Sequence, residues 1–170
     1  MNGFDGAITV LGVILGSWLA KVSSPEVIVL AGVGACFAMG VSGFFGAYMA
    51  EKAERERILE RDLRENGKVS EIKYEASQII PLLLALVDAI SPCLSGGIAL
   101  LPFFLALHGI ILIEVAYTLS VVLVLGMLFV LGVYLGKVAK GNGWKYGLAM
   151  LAVGLVTALI VLGLCLTLGV

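Results

Sequence analysis

Residues Val27–Ala50 read VIVLAGVGACFAMGVSGFFGAYMA, an apolar run of 24 residues without a charged side chain. A transmembrane α-helix needs about 20 such residues, so this run is long enough to cross a bilayer. The chain then changes at once to EKAERERILERDLREN over 51–66, and neither Pro nor Gly occurs before Gly67. The pattern predicts one long helix that leaves the membrane and ends in a solvated stretch of mixed charge.

One apolar run precedes this stretch and three follow it, so the sequence predicts five membrane spans. The expected spans are about 4–20, 27–50, 79–107, 110–136 and 146–170, with a cytoplasmic charged helical segment at 51–78. We therefore predict an all-α integral membrane protein that forms a single membrane domain over 1–170. The third run contains Pro92 and Gly96-Gly97, which predict a break in that helix.

The composition of the whole chain supports a membrane protein and excludes several other classes. Of its 170 residues, 61% are hydrophobic and 14% are charged, and the formal net charge is −1. A soluble domain of this size could not bury so much apolar surface, so membrane lipid is an expected partner and nucleic acid is not. The single His excludes a multi-His site within one chain. We expect neither enzymatic activity nor a cofactor.

The basic residues predict the direction in which the spans run. Seven of the 11 Lys and Arg residues lie in the connector after the second span, three lie after the fourth, and only Lys21 lies after the first. Five spans place the two basic connectors on one side, and basic connectors face the cytoplasm. The N-terminus is therefore expected in the cytoplasm and the C-terminus outside. The first run starts so close to Met1 that a longer natural N-terminus stays an open question.

Three acidic residues lie within the apolar runs, where a charge is costly and is a functional hypothesis by default. Asp5 is expected at the cytoplasmic start of the first helix, where it could also simply favour the helix dipole. Asp88 lies four residues before Pro92 and is either functional or a hydrogen-bond partner within a broken helix. Glu114 is expected one turn inside the fourth helix, close enough to reach the outer interface.

Small residues occur along the first two helices, and such faces let another backbone approach closely. The glycines concerned are Gly12, Gly16, Gly43 and Gly46. They predict either close packing inside one chain or an interface between two copies, and the sequence favours neither. Met39 in the second helix is either an ordinary apolar residue or, where it faces a path, a soft ligand for a transition metal.

The charged segment carries carboxylate pairs at helical spacing. The candidates are Glu51 with Glu54, and Glu71 with Glu75. Carboxylates on one helix face can bind divalent ions, although the Lys and Arg neighbours also fit a plain solvated helix. Because the segment leaves the membrane and returns to it, we expect both ends to meet near the membrane surface. The four carboxylates are then expected to converge there.

Three stretches taken together resemble a known family of membrane proteins. They are DGAITVLG at 5–12, GFFGAYMAEKAE at 43–54, and Pro92 followed by LLPF at 100–103. In this order, with five spans and a hydrophilic segment after the second, they resemble the vacuolar iron transporter family. The resemblance covers essentially the whole chain. The chain is similar to a small prokaryotic-type member of the family, one without the large cytoplasmic metal-binding domain. This resemblance implies a location in the cell membrane of a prokaryote.

The resemblance implies a homodimer that exports Fe²⁺ or Mn²⁺ from the cytoplasm in exchange for protons, along a path at the two-fold interface. It implies that Asp5 binds metal and proton in turn. The family's second-helix Met corresponds either to Met39 or, in an alignment without a gap, to the position of Gly43. Asp88 is a candidate proton relay, and the carboxylates of the charged segment could collect metal. The alternative is a non-transporting membrane scaffold that associates with itself through its glycine faces.

Overall fold

The structure, a computed structural model, describes residues 2–68 and 70–169 and is helical throughout this range apart from the connecting turns. Its helices in chain order are α1 (Asn2–Leu19), α2 (Pro25–Asn66), α3 (Glu71–Leu107), α4 (Ile113–Val138) and α5 (Gly143–Leu168). Each of these helices is long and apolar enough to cross a membrane. The prediction of an all-α integral membrane protein with five membrane helices is confirmed.

The long second helix is confirmed and continues without interruption from the apolar run into the charged stretch. It contains 42 residues, which is about 63 Å of helix and twice the roughly 30 Å of a hydrocarbon core. One end of α2 must therefore project from the membrane. The helix ends at Gly67, whose φ of 67° is left-handed and whose N–H bonds to the Leu63 carbonyl, as glycine favours at a helix C-terminus.

The third helix returns antiparallel to α2, and the two helices form a hairpin. Gly32 lies against Leu100 near one end of the pair, and Lys73 Nζ lies 2.5 Å from Asp62 Oδ2 near the other. We call the part of this pair outside the apolar runs, residues 51–78, the polar hairpin. It consists of two helical arms, the end of α2 and the start of α3.

The predicted break in the third helix is wrong, because α3 runs unbroken through Pro81, Pro92 and Pro102. A proline removes only its own N–H from the ladder, and packing against neighbouring helices can hold the remaining turns together. The two glycines after Pro92 are not a hinge either. A Cβ atom at Gly96 would collide with Cys36 Sγ of α2, so this glycine serves close helix packing.

The first helix lies at the centre of the bundle and contacts the other four. Its fully buried residues are Ala7, Val10, Leu11 and Ile14. Tyr117 of α4 fixes the end of the bundle opposite the polar hairpin, because its hydroxyl donates a 2.8 Å hydrogen bond to the Val22 carbonyl. This packing sets the depth at which the start of α1 meets α2 and α3.

Candidate metal site

A small cleft lies where the start of α1 meets the middle of α2 and the turn of α3 around Pro92. Its volume is about 190 Å³, and its lining residues are Asn2, Asp5, Met39, Ser42, Gly43 and Pro92. We call it the Asp5 cleft. It brings together the acidic residue of the first helix and both positions proposed for the second-helix Met. Asp5 and Ser42 are exposed in the single chain, so the cleft is open on one side.

Asp5 lies deeper than the sequence predicted. Met39, which lines the same cleft, is the thirteenth of the 24 residues in the apolar run Val27–Ala50. The start of α1 therefore meets α2 near the middle of its apolar run and not at one end of it. The expected position at a helix mouth is corrected to mid-depth. A carboxylate at that depth is costly unless it is used, so the functional interpretation of Asp5 gains weight.

A hydrogen bond ties α1 to α3 beside this carboxylate. Asn2 Nδ2 donates to the Asp88 carbonyl oxygen over 3.2 Å. In an unbroken helix that carbonyl would accept from the residue four positions later, which is Pro92 and has no N–H. The Asn2 amide takes the acceptor that the proline leaves free. Asp88 thus takes part through its backbone, while its side chain is half-buried and its role as a proton relay stays a prediction.

Sequence reasoning missed Asn2 and Ser42 as members of the site. The sequence did predict that some donor is needed there. Pro92 leaves the Asp88 carbonyl without its partner in the helix, and a buried carbonyl then needs a hydrogen-bond donor from elsewhere. Nothing in the sequence shows that the donor comes from three residues before Asp5. Ser42 gave no signal, because one serine in a glycine-rich helix is ordinary.

The side chains of the Asp5 cleft offer a mixed set of metal ligands. Asp5 supplies a carboxylate, Ser42 a hydroxyl and Met39 a thioether, and no Lys or Arg is among the lining residues. Oxygen ligands suit Mn²⁺ and Fe²⁺, whereas the thioether adds a softer group. Within the described ranges, no three side chains of His, Cys, Asp or Glu lie close enough to hold a metal ion. Further ligands would have to be neutral side chains, water or groups from a second copy.

The polar hairpin does not gather its carboxylates as predicted. Glu51 pairs with Arg55, whose Nη2 lies 2.8 Å from Glu51 Oε1. On α3, Glu71 and Glu75 flank Lys73, which pairs with Asp62 near the turn. Glu51 precedes Asp62 by eleven residues, about 16 Å along a helix. The four carboxylates therefore do not converge within one chain, and that prediction is wrong. The hairpin places Glu51 and Glu54 near the membrane domain and Glu71 and Glu75 nearer the connection between its two arms.

The four glycines of the expected dimer interface fall into two groups. A Cβ atom built on Gly12, Gly16 or Gly46 would meet nothing within 4 Å, so these positions are open. A Cβ atom on Gly43 would lie 2.6 Å from Asn2 Nδ2 and 3.3 Å from the Asp88 carbonyl oxygen. Gly43 therefore packs inside the chain, and the interface prediction rests on the other three.

A much larger cleft, about 880 Å³ in volume, lies at the opposite end of the bundle from the polar hairpin, between α1, α4 and α5. Its wall is mostly apolar and includes five leucines and one isoleucine beside the stacked rings of Trp18 and Tyr117. Glu114 stands exposed at this cleft. It is far from the Asp5 cleft, which fits the interpretation of Glu114 as an interfacial residue.

The bundle and its mid-depth carboxylate define an integral membrane protein with a polar cleft inside its membrane domain. A profile of the VIT family matches residues 1–79, which include α1, α2 and the Asp5 cleft residues of both helices. An uncharacterized protein of Methanocaldococcus jannaschii is 34% identical over 161 residues, which cover 92% of this chain and 81% of that protein. No solved structure matches the chain. The chain belongs to the VIT family, the vacuolar iron transporters, which is a family of metal transporters.

Proposed function

We propose that this protein exports Fe²⁺ or Mn²⁺ from the cytoplasm in exchange for protons, as a homodimer with the metal path at its two-fold interface. The observation that carries the proposal is the Asp5 cleft, in which Asp5 and Met39 meet at mid-depth of the membrane domain. A transporter needs a binding site at such a depth, reachable in turn from either side. Membership of a metal-transporter family supports the same function.

Asp5 is the group that couples metal to protons in this proposal. A carboxylate must be deprotonated to bind a metal ion, so metal and proton compete for the same oxygens. Release of metal on the outside leaves a free carboxylate that binds a proton, and the proton leaves on the cytoplasmic side when the next metal ion binds. Met39 adds a thioether, which favours Fe²⁺ over harder ions such as Mg²⁺.

A second copy of the chain would complete the site. The cleft is open on the side where Asp5 is exposed, and the open glycines Gly12, Gly16 and Gly46 lie on the same two helices. Small residues allow two helices to approach closely in lipid. Two copies facing each other there would supply two Asp5 carboxylates to one metal ion and exclude lipid from the path.

The polar hairpin lies on the cytoplasmic side in this proposal, because it carries seven of the 11 Lys and Arg residues of the chain. Its carboxylates attract divalent ions only weakly, because Arg55 and Lys73 already balance two acidic groups. We assign the hairpin a minor role in collecting metal. A non-transporting scaffold is the second candidate function, and the open glycine faces alone favour it.

Reconstitution of the full chain into lipid vesicles with an internal pH dye tests the proposal. Fe²⁺ and Mn²⁺ added outside are expected to enter, and the internal pH is expected to rise as protons leave in exchange. Glu114→Gln is the matched control, since it removes a carboxylate far from the cleft and should transport like wild type. A flux of metal and protons no greater than in vesicles without protein would contradict transport and favour the scaffold.

A further inference from the structure

We propose that Asn2 is a ligand of the transported metal ion, through the carbonyl oxygen of its side chain, and that Pro92 and Gly43 hold it in place. The inference rests on the proposed function, because it adds a ligand to the same cleft. The added ligand affects which metal ions the site prefers. Neither the sequence pattern nor the family resemblance singles out Asn2.

The hydrogen bond to α3 fixes the orientation of the amide. The partner of Asn2 is a backbone carbonyl oxygen, that of Asp88, at 3.2 Å. A carbonyl can only accept, so the NH₂ group of Asn2 must be the atom that faces it. The Oδ1 atom, which is bonded to the same Cγ atom of Asn2, then points away from α3 and does not contact the Asp88 carbonyl. Since Asn2 lines the Asp5 cleft, this oxygen is available to a metal ion there.

Two further residues make room for this arrangement. Pro92 has no N–H, which leaves the Asp88 carbonyl as an acceptor inside an otherwise continuous helix. Gly43 has no side chain, and a Cβ atom there would lie 2.6 Å from Asn2 Nδ2. The amide therefore occupies space that only glycine leaves open. Contacts from α2 and α3 hold one side chain of α1 in a single orientation, as expected for a metal ligand that neighbouring residues orient.

The spacing on α1 places the amide beside the carboxylate. Asn2 and Asp5 are three residues apart on one helix, so they lie on the same face. An amide oxygen is a hard ligand of the kind that Mn²⁺ accepts, and it carries no charge. It therefore adds affinity for hard ions and leaves Asp5 as the group that exchanges metal for a proton. Met39 supplies the soft ligand from α2.

Binding of Mn²⁺ and Cd²⁺ to the purified full chain, measured by calorimetry, tests the assignment. Asn2→Leu should weaken Mn²⁺ binding about tenfold or more, the range for a lost ligand or its support, and change Cd²⁺ binding much less. Met39→Leu should do the reverse, because Cd²⁺ prefers sulfur. A merely structural role for Asn2 would not separate the two ions.

Gly43→Ala provides a second variant that replaces none of the proposed ligand residues. Its new methyl group displaces the end of the Asn2 side chain, which moves easily, and should produce the same selective loss of Mn²⁺. Gly126→Ala on α4 is the matched control, since a Cβ atom there meets nothing within 4 Å and no residue of α4 lines the cleft. Equal losses of Mn²⁺ and Cd²⁺, or no loss of either in Asn2→Leu and Gly43→Ala, would overturn the role of Asn2. Failure of wild type to bind either ion would instead contradict the proposed function.

Discussion

The Asp5 cleft and the polar hairpin both carry carboxylates, yet their surroundings differ completely. Both ion pairs of the described residues lie in the hairpin, between Glu51 and Arg55 and between Asp62 and Lys73. In the cleft, Asp5 shares its lining with Met39 and other neutral side chains, and no cation is among them. The number of acidic residues therefore points to the hairpin as the metal site, whereas their surroundings point to the cleft.

Solvent explains why one unpaired carboxylate outweighs several paired ones. An exposed ion pair in water contributes roughly 0–1 kcal/mol, and salt screens it further. A carboxylate within the membrane has no bulk water to replace a missing partner, so a cation or a proton that binds there is worth far more. We infer that Asp5 is the residue on which transport depends most. The hairpin should adjust transport only slightly.

Asp5→Asn should have the largest effect of any single substitution considered, with transport of Fe²⁺ and Mn²⁺ reduced to the level of empty vesicles. The change removes the charge and keeps the shape, so the bundle should still fold. Vesicle flux assays measure the loss, and the elution volume of the purified variant checks its assembly. Transport at the wild-type rate would refute the central role of this residue.

Gly43→Leu should come next, because it fills the space occupied by the Asn2 amide and the Asp88 backbone. Overpacking of this kind costs about 1–3 kcal/mol, so we expect a lower melting temperature of the single chain in detergent. Gly46→Leu is the matched change at an open position. It should leave the melting temperature of the monomer unchanged and weaken the dimer. A lower melting temperature for Gly46→Leu, with no change for Gly43→Leu, would contradict the packing roles assigned to the two glycines.

Pro92→Ala should have a smaller and more specific effect. The new N–H would bond to the Asp88 carbonyl inside α3, in competition with the Asn2 amide. We expect Mn²⁺ affinity to fall by at most about tenfold, which is the smallest loss typical when a residue that orients a metal ligand is removed. The helical content of α3 should not change. Calorimetry and circular dichroism measure the two properties. Unchanged Mn²⁺ affinity would show that the freed carbonyl does not matter to the site.

Replacement of the hairpin carboxylates by Gln should have the smallest effect. The four positions are Glu51, Glu54, Glu71 and Glu75. Because they lie at separate levels beside basic residues, we expect the metal concentration for half-maximal transport to rise less than about threefold, and the difference to vanish at high salt. Transport titrations at low and high ionic strength test this. A tenfold rise that persists at high salt would move the metal-collecting site to the hairpin.

Run lengths and charge were enough to predict most of the fold. The 24 uncharged residues Val27–Ala50, followed directly by EKAERERILERDLREN, indicated a long helix that projects from the membrane. The same kind of local reasoning failed at Pro92 and Gly96-Gly97. Composition predicted a break there, but packing against α1 and α2 uses the Asp88 carbonyl that Pro92 leaves free and the small size of Gly96 within an intact helix.

Asp5 and Met39 were predictable as residues of the site, whereas Asn2, Ser42 and the geometry of the site were not. The Asp5 and Met39 candidates meet in one cleft, as a shared path would require. Their depth was not predictable, because it depends on where α1 packs along α2. Nor could spacing distinguish Gly43 from Gly46, which are three residues apart in the same small-residue run. Only the position of α1 shows that one glycine is covered and the other open.

The most direct test of the central claim is to locate the metal ion itself in the full-length protein. Crystals grown with Mn²⁺ give an anomalous-difference map that shows the ion independently of any activity. We predict the strongest peak within bonding distance of the Asp5 carboxylate, between α1 and the Met39 region of α2. A strongest peak among the carboxylates of the polar hairpin, with none at Asp5, would contradict this account.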